Sequence, residues 1–209
     1  HRMTADQLEA LFRRPDGQYL CARWGRPIVP VVFGVEEATL SVVKGAIEAV
    51  VALAGHKMAE TDPELGANLM VFFFRNWAEL PEVPNLDRLV PDLAALCIKL
   101  QAAEANQYRV FRFDPDGGIK ACFVFIRMDR HLEAVSADVL ALNQAVQAIL
   151  LWSDRAFADR SALGEVDGHV ILRPEIGDVI RAAYDRTLPV TAQDASHAMR
   201  LFARLPRPV

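Results

Sequence analysis

Apolar residues fall along this chain in two spacings that alternate from segment to segment. Between residues 36 and 56 they recur three and four apart, at Leu40, Val43, Ile47, Val50 and Ala54. That spacing lines one side of an α-helix, and Gly55 ends it with the left-handed conformation a helix C-terminus favours. Residues 68–74 are apolar without a break after Asn68, the pattern of a strand covered on both faces. Residues 107–129 read as two strands around a turn in which Asp116, Gly117 and Gly118 supply positive φ. Residues 19–35 read as strand, with β-branched side chains concentrated over 28–35, and Pro27 and Pro30 place parts of it at an edge.

Helices fill the remainder. Thr4 and Gln7 stand at capping-box spacing ahead of Leu8, Leu11 and Phe12. The segment after residue 75 is punctuated by proline and becomes helical from about Pro91. A second long helix is expected from about Ala134 to Trp152, with Val139, Leu142, Val146 and Ile149 as its core stripe, then a loop to Gly168. A further helix starts near Pro174, and Thr191 with Asp194 has capping-box spacing before a terminal helix. The order predicts an α+β, α/β-layered domain over 1–209 with a few-stranded mixed sheet.

Composition narrows the functional classes. With 52% hydrophobic residues in 209, one hydrophobic core is affordable without disulfides. A net charge of −4 offers no general attraction to phosphate backbones, so nucleic acid is not an expected partner. Cys21, Cys97 and Cys122 have no metal-knuckle spacing and read as buried small apolar residues. No apolar run is long enough to span a bilayer, and an amphipathic helix begins where a secretory signal would lie. His1-Arg2-Met3 reads as the remnant of an expression tag.

The chemistry concentrates in residues 141–154, Ala-Leu-Asn-Gln-Ala-Val-Gln-Ala-Ile-Leu-Leu-Trp-Ser-Asp. Strand, backing helix, strands and a helix after the last strand is the order of a zincin metallopeptidase, which this chain resembles from about Arg23 to Arg200. The segment Ile119–Asp129 is similar to the strand that leads into the zinc-binding helix, and residues 143–154 fall where metzincins carry His-Glu-x-x-His-x-x-Gly-x-x-His. Residues 176–185 resemble a later helix of matrixin-like enzymes. Gln147, Ala148, Ile149, Leu151 and Asp154, with Arg23-Trp24 and Pro27, are also similar to a bacterial family of uncharacterised zincin-like proteins, many exported or lipid-anchored. That resemblance implies a zincin-like fold with a long former active-site helix, and an exported or periplasmic location.

It also implies a lost reaction. Two imidazoles at i and i+4 would share the zinc ion, and a carboxylate beside the first would take a proton from bound water. Here those positions hold Asn143, Gln147 and Gln144, with Leu150 for the glycine and Ser153 for the third ligand. An amide nitrogen has no free lone pair, and its oxygen is a weak neutral ligand that takes no proton near neutrality. The expectation is a non-catalytic module without metal or other cofactor, whose vestigial cleft at Asn143, Gln144, Gln147, Trp152 and Asp154 binds a protein or peptide. The plainer reading makes Asn143 and Gln147 a solvated helix face and Asp154 a helix-ending residue. A second functional reading is a hydrolase with a relocated metal or His/carboxylate site drawn from His131, Asp154 and His169. The Asp114-Pro-Asp116-Gly-Gly segment reads as a hairpin turn rather than a calcium loop, since the final glutamate is absent.

Overall fold

The computed structural model describes residues 2–208. In chain order it contains α1 (Ala5–Ala10), β1 (Cys21–Ala22), β2 (Pro30–Phe33), α2 (Glu37–Ala54) and β3 (Leu69–Phe74). A 3₁₀ turn at Trp77–Glu82 precedes α3 (Leu86–Leu89), α4 (Leu93–Ala102), β4 (Gln107–Phe113) and β5 (Ile119–Arg127). Then follow α5 (Arg130–Glu133), α6 (Ala137–Ile149), β6 (Leu163–Val166), β7 (His169–Leu172), α7 (Pro174–Ala183), β8 (Thr191–Ala192) and α8 (Ser196–Ala203).

The main sheet has the order β2-β3-β5-β4. The first three strands are parallel, and β4 runs antiparallel to β5 across the hairpin at Gly117 (φ 88°). The apolar run of β3 sits inside the sheet because both of its faces are covered. Leu69 and Val71 join Cys122, Val124 and Ile126 under α2 and α6, while Phe72 and Phe74 join Phe123 and Phe125 under α4 and the 3₁₀ turn. Burying a side chain of this size contributes about 1.5–3 kcal/mol, so two covered faces explain why β3 and β5 carry almost no polar residue.

The long backing helix follows its pattern. Val43, Ile47, Val50 and Ala54 are buried, Leu40 is half-buried, and Gly55 closes the helix at φ 69°. Thr4 and Gln7 form the expected reciprocal capping box. No helix among the described residues is long and apolar enough to cross a membrane. The tag remnant expected at residues 1–3 falls partly outside the described residues; of the three, Met3 is buried in the main core.

Four expectations are corrected. The helix expected to reach Trp152 stops at Ile149, and Leu150 is extended (φ −138°, ψ 156°). Tertiary hydrogen bonds impose that end: the Leu151 N–H donates to Ala22 O (3.0 Å) and the Ser153 N–H to Leu11 O (2.8 Å). The α6 stripe is also rotated, since Leu140, Ala141 and Gln144 are buried with Val146 and Ile149 whereas Val139 and Leu142 are only half-buried. The loop expected before Gly168 ends in a hairpin, β6–β7, turning at Asp167 (φ 51°) and Gly168 (φ 77°). Thr191 is no helix cap; it lies in β8 paired with β1, and its hydroxyl donates to Cys21 O.

Candidate functional site

The C-terminal end of α6 leaves carbonyl groups without helical partners, as every helix does. Aromatic side chains take them, two of the three from distant parts of the chain. The Trp152 indole N–H donates to Val146 O (2.8 Å), the Trp24 indole N–H to Ala148 O (2.8 Å), and the Tyr184 hydroxyl to Ile149 O (2.6 Å). Trp152 in turn stacks on Phe12 at 5.3 Å between ring centroids. The helix end is therefore pinned by three elements, and the segment beyond it runs extended toward the surface.

One turn earlier, two of the three amides of α6, Gln144 and Gln147, meet β4. The Arg109 guanidinium donates from Nη1 to Gln144 Oε1 (2.8 Å) and from Nη2 to Gln147 Oε1. Gln144 Nε2 donates to Gln107 Oε1 (2.6 Å), and Gln147 Nε2 to Asn143 Oδ1 (3.3 Å). Gln144 is only 4% exposed, and Asn143 and Gln147, read as a solvated face, are half-buried. These amides hold an arginine. Burial lowers the Arg109 pKa from its ordinary value, with the neighbouring Cys122 and Asp154 opposing that shift. Burial likewise pushes the Cys122 thiol up to about 12, so it stays neutral.

Arg109, Gln147, Trp152 and Asp154 line a cleft of about 660 Å³ between β4 and residues 151–158. Arg14 stands in the same cleft, with Phe111, Phe113 and Phe157 among its aromatic walls. Asn143 and Gln144, expected in the cleft, lie behind its lining and are bonded to it through Gln147, Arg109 and Gln107. Asp154 ends no helix; its side chain is 81% exposed and 3.8 Å from Arg14 Nη1. The Arg14 Nε atom is buried without a hydrogen-bond acceptor among the described residues.

The β4 edge facing away from β5 has no strand partner among the described residues. Its phase follows from one bond. The Arg127 N–H donates to Asn106 O (2.8 Å), and residue 107 opposes 126, so residues 108, 110 and 112 exchange bonds with β5. The backbone N–H and C=O groups of Gln107, Arg109 and Phe111 therefore point to the free edge. On the same strand Tyr108 and Phe113 remain 36% and 45% exposed.

The other expected chemistry does not assemble. His131 and His169 are exposed on α5 and β7, and no group of three His, Cys, Asp or Glu among the described residues is placed to hold a metal ion. Ser153, aligned with the third zinc ligand, donates from its hydroxyl to Arg13 O (2.6 Å). Asp114 is committed to Arg26, whose guanidinium also bonds Asp62 (3.2 Å) and Glu64 (3.3 Å). His197 is buried with Nδ1 2.7 Å from the Tyr19 hydroxyl.

Gln107, Arg109 and Arg14 were absent from the expected site. Their signal was present for two of them: Gln107 and Arg109 alternate with Phe111 on the strand face that packs toward a helix, where polar side chains need a partner. No family model, no curated protein and no solved structure matches this chain.

Proposed function

We propose that this chain is a non-catalytic binding domain of zincin-like architecture whose ligand is an extended peptide segment laid along the free edge of β4. Main-chain hydrogen bonds from an added strand would supply affinity, and the aromatic walls of the cleft would receive alternate side chains. The observation that carries the reading is the Arg109 bridge. Gln144 and Gln147, at the positions of general base and second zinc ligand in the resemblance, both accept from one guanidinium. A fixed positive charge at that point repels a metal cation, and neither amide takes up a proton near neutral pH. The mixed sheet with an antiparallel edge strand over the cleft, and the long helices α2 and α6 stacked on one face, support the architectural part of the reading.

The test is selection of binders from a random-peptide library, followed by hydrogen exchange on the complex. The expected result is enrichment of extended, β-prone sequences and new protection at the Gln107, Arg109 and Phe111 amides. The Tyr108 and Val110 amides, already bonded to β5, should change little. Protection confined to another surface would remove the proposal.

A further inference from the structure

Two guanidinium groups share the cleft, and neither has a carboxylate of its own at hydrogen-bonding distance. Arg109 is held by amide oxygens, which satisfy hydrogen-bond geometry and leave its charge unbalanced. Two of the five N–H donors of a guanidinium are used in this way. Among the described residues Arg14 has a buried Nε without an acceptor, and its nearest carboxylate is the largely solvated Asp154 at 3.8 Å. Around them stand Leu20, Phe111, Phe113 and Phe157. These apolar side chains, in a lining of mixed polarity, reduce dielectric screening beside the guanidinium groups, so an incoming anion would gain more here than on an open surface. Among the described residues Asp154 is the only carboxylate in the lining, against two arginines.

We propose that the cleft selects a peptide bearing a carboxylate, which Arg109 binds from the floor of the cleft and Arg14 from its side; this rests on the peptide-binding reading of the β4 edge. Gln144 and Gln147 are then positioning residues. They hold the guanidinium plane in place without neutralising it, so its charge remains available to the ligand. A carboxylate matches that need because its two oxygens can accept paired N–H bonds from one guanidinium. The carboxylate can come from an aspartate or glutamate side chain, or from a chain end.

The experiment uses the full chain and a random-peptide library in two formats, one flanked on both sides by linker and one ending in a free carboxyl group. Expected from the linker-flanked format is enrichment of Asp or Glu at one fixed register. Replacing that Glu by Gln in an enriched peptide should weaken binding roughly tenfold or more, the loss for a charge-assisted bond in a partly desolvated site. If the ligand is instead a chain terminus, only the free-carboxyl format enriches, and amidating the end gives the same loss. Arg109→Gln should erase the preference for acid over amide, whereas Arg109→Lys should keep part of it. Should Arg109→Gln fail to fold, the Glu-to-Gln peptide pair on the unmodified protein decides alone. Neutral or basic peptides enriched with protection on β4 would overturn carboxylate selection and leave the docking reading standing. No enrichment in either format would overturn both.

Discussion

Arg26 and Arg109 are both drawn into the protein, and they are treated in opposite ways. Arg26 is surrounded by Asp62, Glu64 and Asp114, and Glu64 also binds Lys120. Asp62 is further held by the N–H groups of Glu64 and Leu65 and by the Asn68 side chain. Burial alone would raise the Asp62 pKa, but these bonds and Arg26 outweigh it and leave the carboxyl below its ordinary value. Arg109 meets only amide oxygens. One guanidinium is spent on joining the β2 approach, the turn at Asp62–Gly66 and the β4–β5 hairpin; the other keeps its charge. A buried arginine is therefore not informative by itself. What it donates to separates a structural tie from a site.

The sharpest way to break the contrast is to delete each arginine. Arg26→Met strands carboxylates that had been arranged around a cation and should cost roughly 3 kcal/mol, read by urea unfolding. It should leave the preference for acidic peptides unchanged. Equal costs for Arg26→Met and Arg109→Met would erase the distinction.

A pH series comes next. Burial first, then the nearby Arg200 and Arg204, lower the His197 pKa from 6.5 to about 4. The folded value lies below the unfolded one, so the stabilisation is complete above pH 6.5 and fades as pH falls toward 4. The loss should be roughly 2–3 kcal/mol, and His197→Gln should flatten the slope. His56, also lowered by burial, adds in the same sense. A guanidinium keeps its charge across that window, so acid should weaken the fold before it changes the charge that Arg109 offers to a ligand.

Arg109→Met should cost only about 1–2 kcal/mol, because it frees amides rather than carboxylates. It should nevertheless abolish discrimination between Glu and Gln peptides. The smallest effect is expected for Gln147→Ala, less than about 1 kcal/mol in stability, since Gln147 is half-buried at the cleft. A larger loss there would mean that the amide carries more of the arginine than its neighbour Gln144 does.

Local pattern made part of this molecule legible. The α2 stripe with Gly55, the apolar β3 run and the Thr4–Gln7 box each contain their whole cause within a few residues. The Asp167-Gly168 turn also had a local signal, a dipeptide suited to two positive φ angles, but the flanking β6 and β7 are short and contain no buried residue. The end of α6 had none. Leu150, Leu151 and Trp152 suit a helix, and only bonds from Leu11, Ala22 and Arg23 pull them straight. The amides were visible as an oddity on an apolar helix, yet their partner Arg109 lies 35 residues from Gln144 and belongs to another element. Helical periodicity carries no information about such a contact, because it arises only when the sheet closes against the helix.

The capping of α6 by aromatic side chains also makes the cleft optically observable. Of the three tryptophans, Trp24 and Trp77 are fully buried and absent from the cleft lining, whereas Trp152 forms part of its wall. Its indole N–H is bonded to the helix end and its ring is stacked on Phe12. An occupant of the cleft would change the polarity around a chromophore that the protein holds still. Intrinsic emission from Trp152 is thus a label-free reporter of occupancy, already fixed in the wall of the cleft.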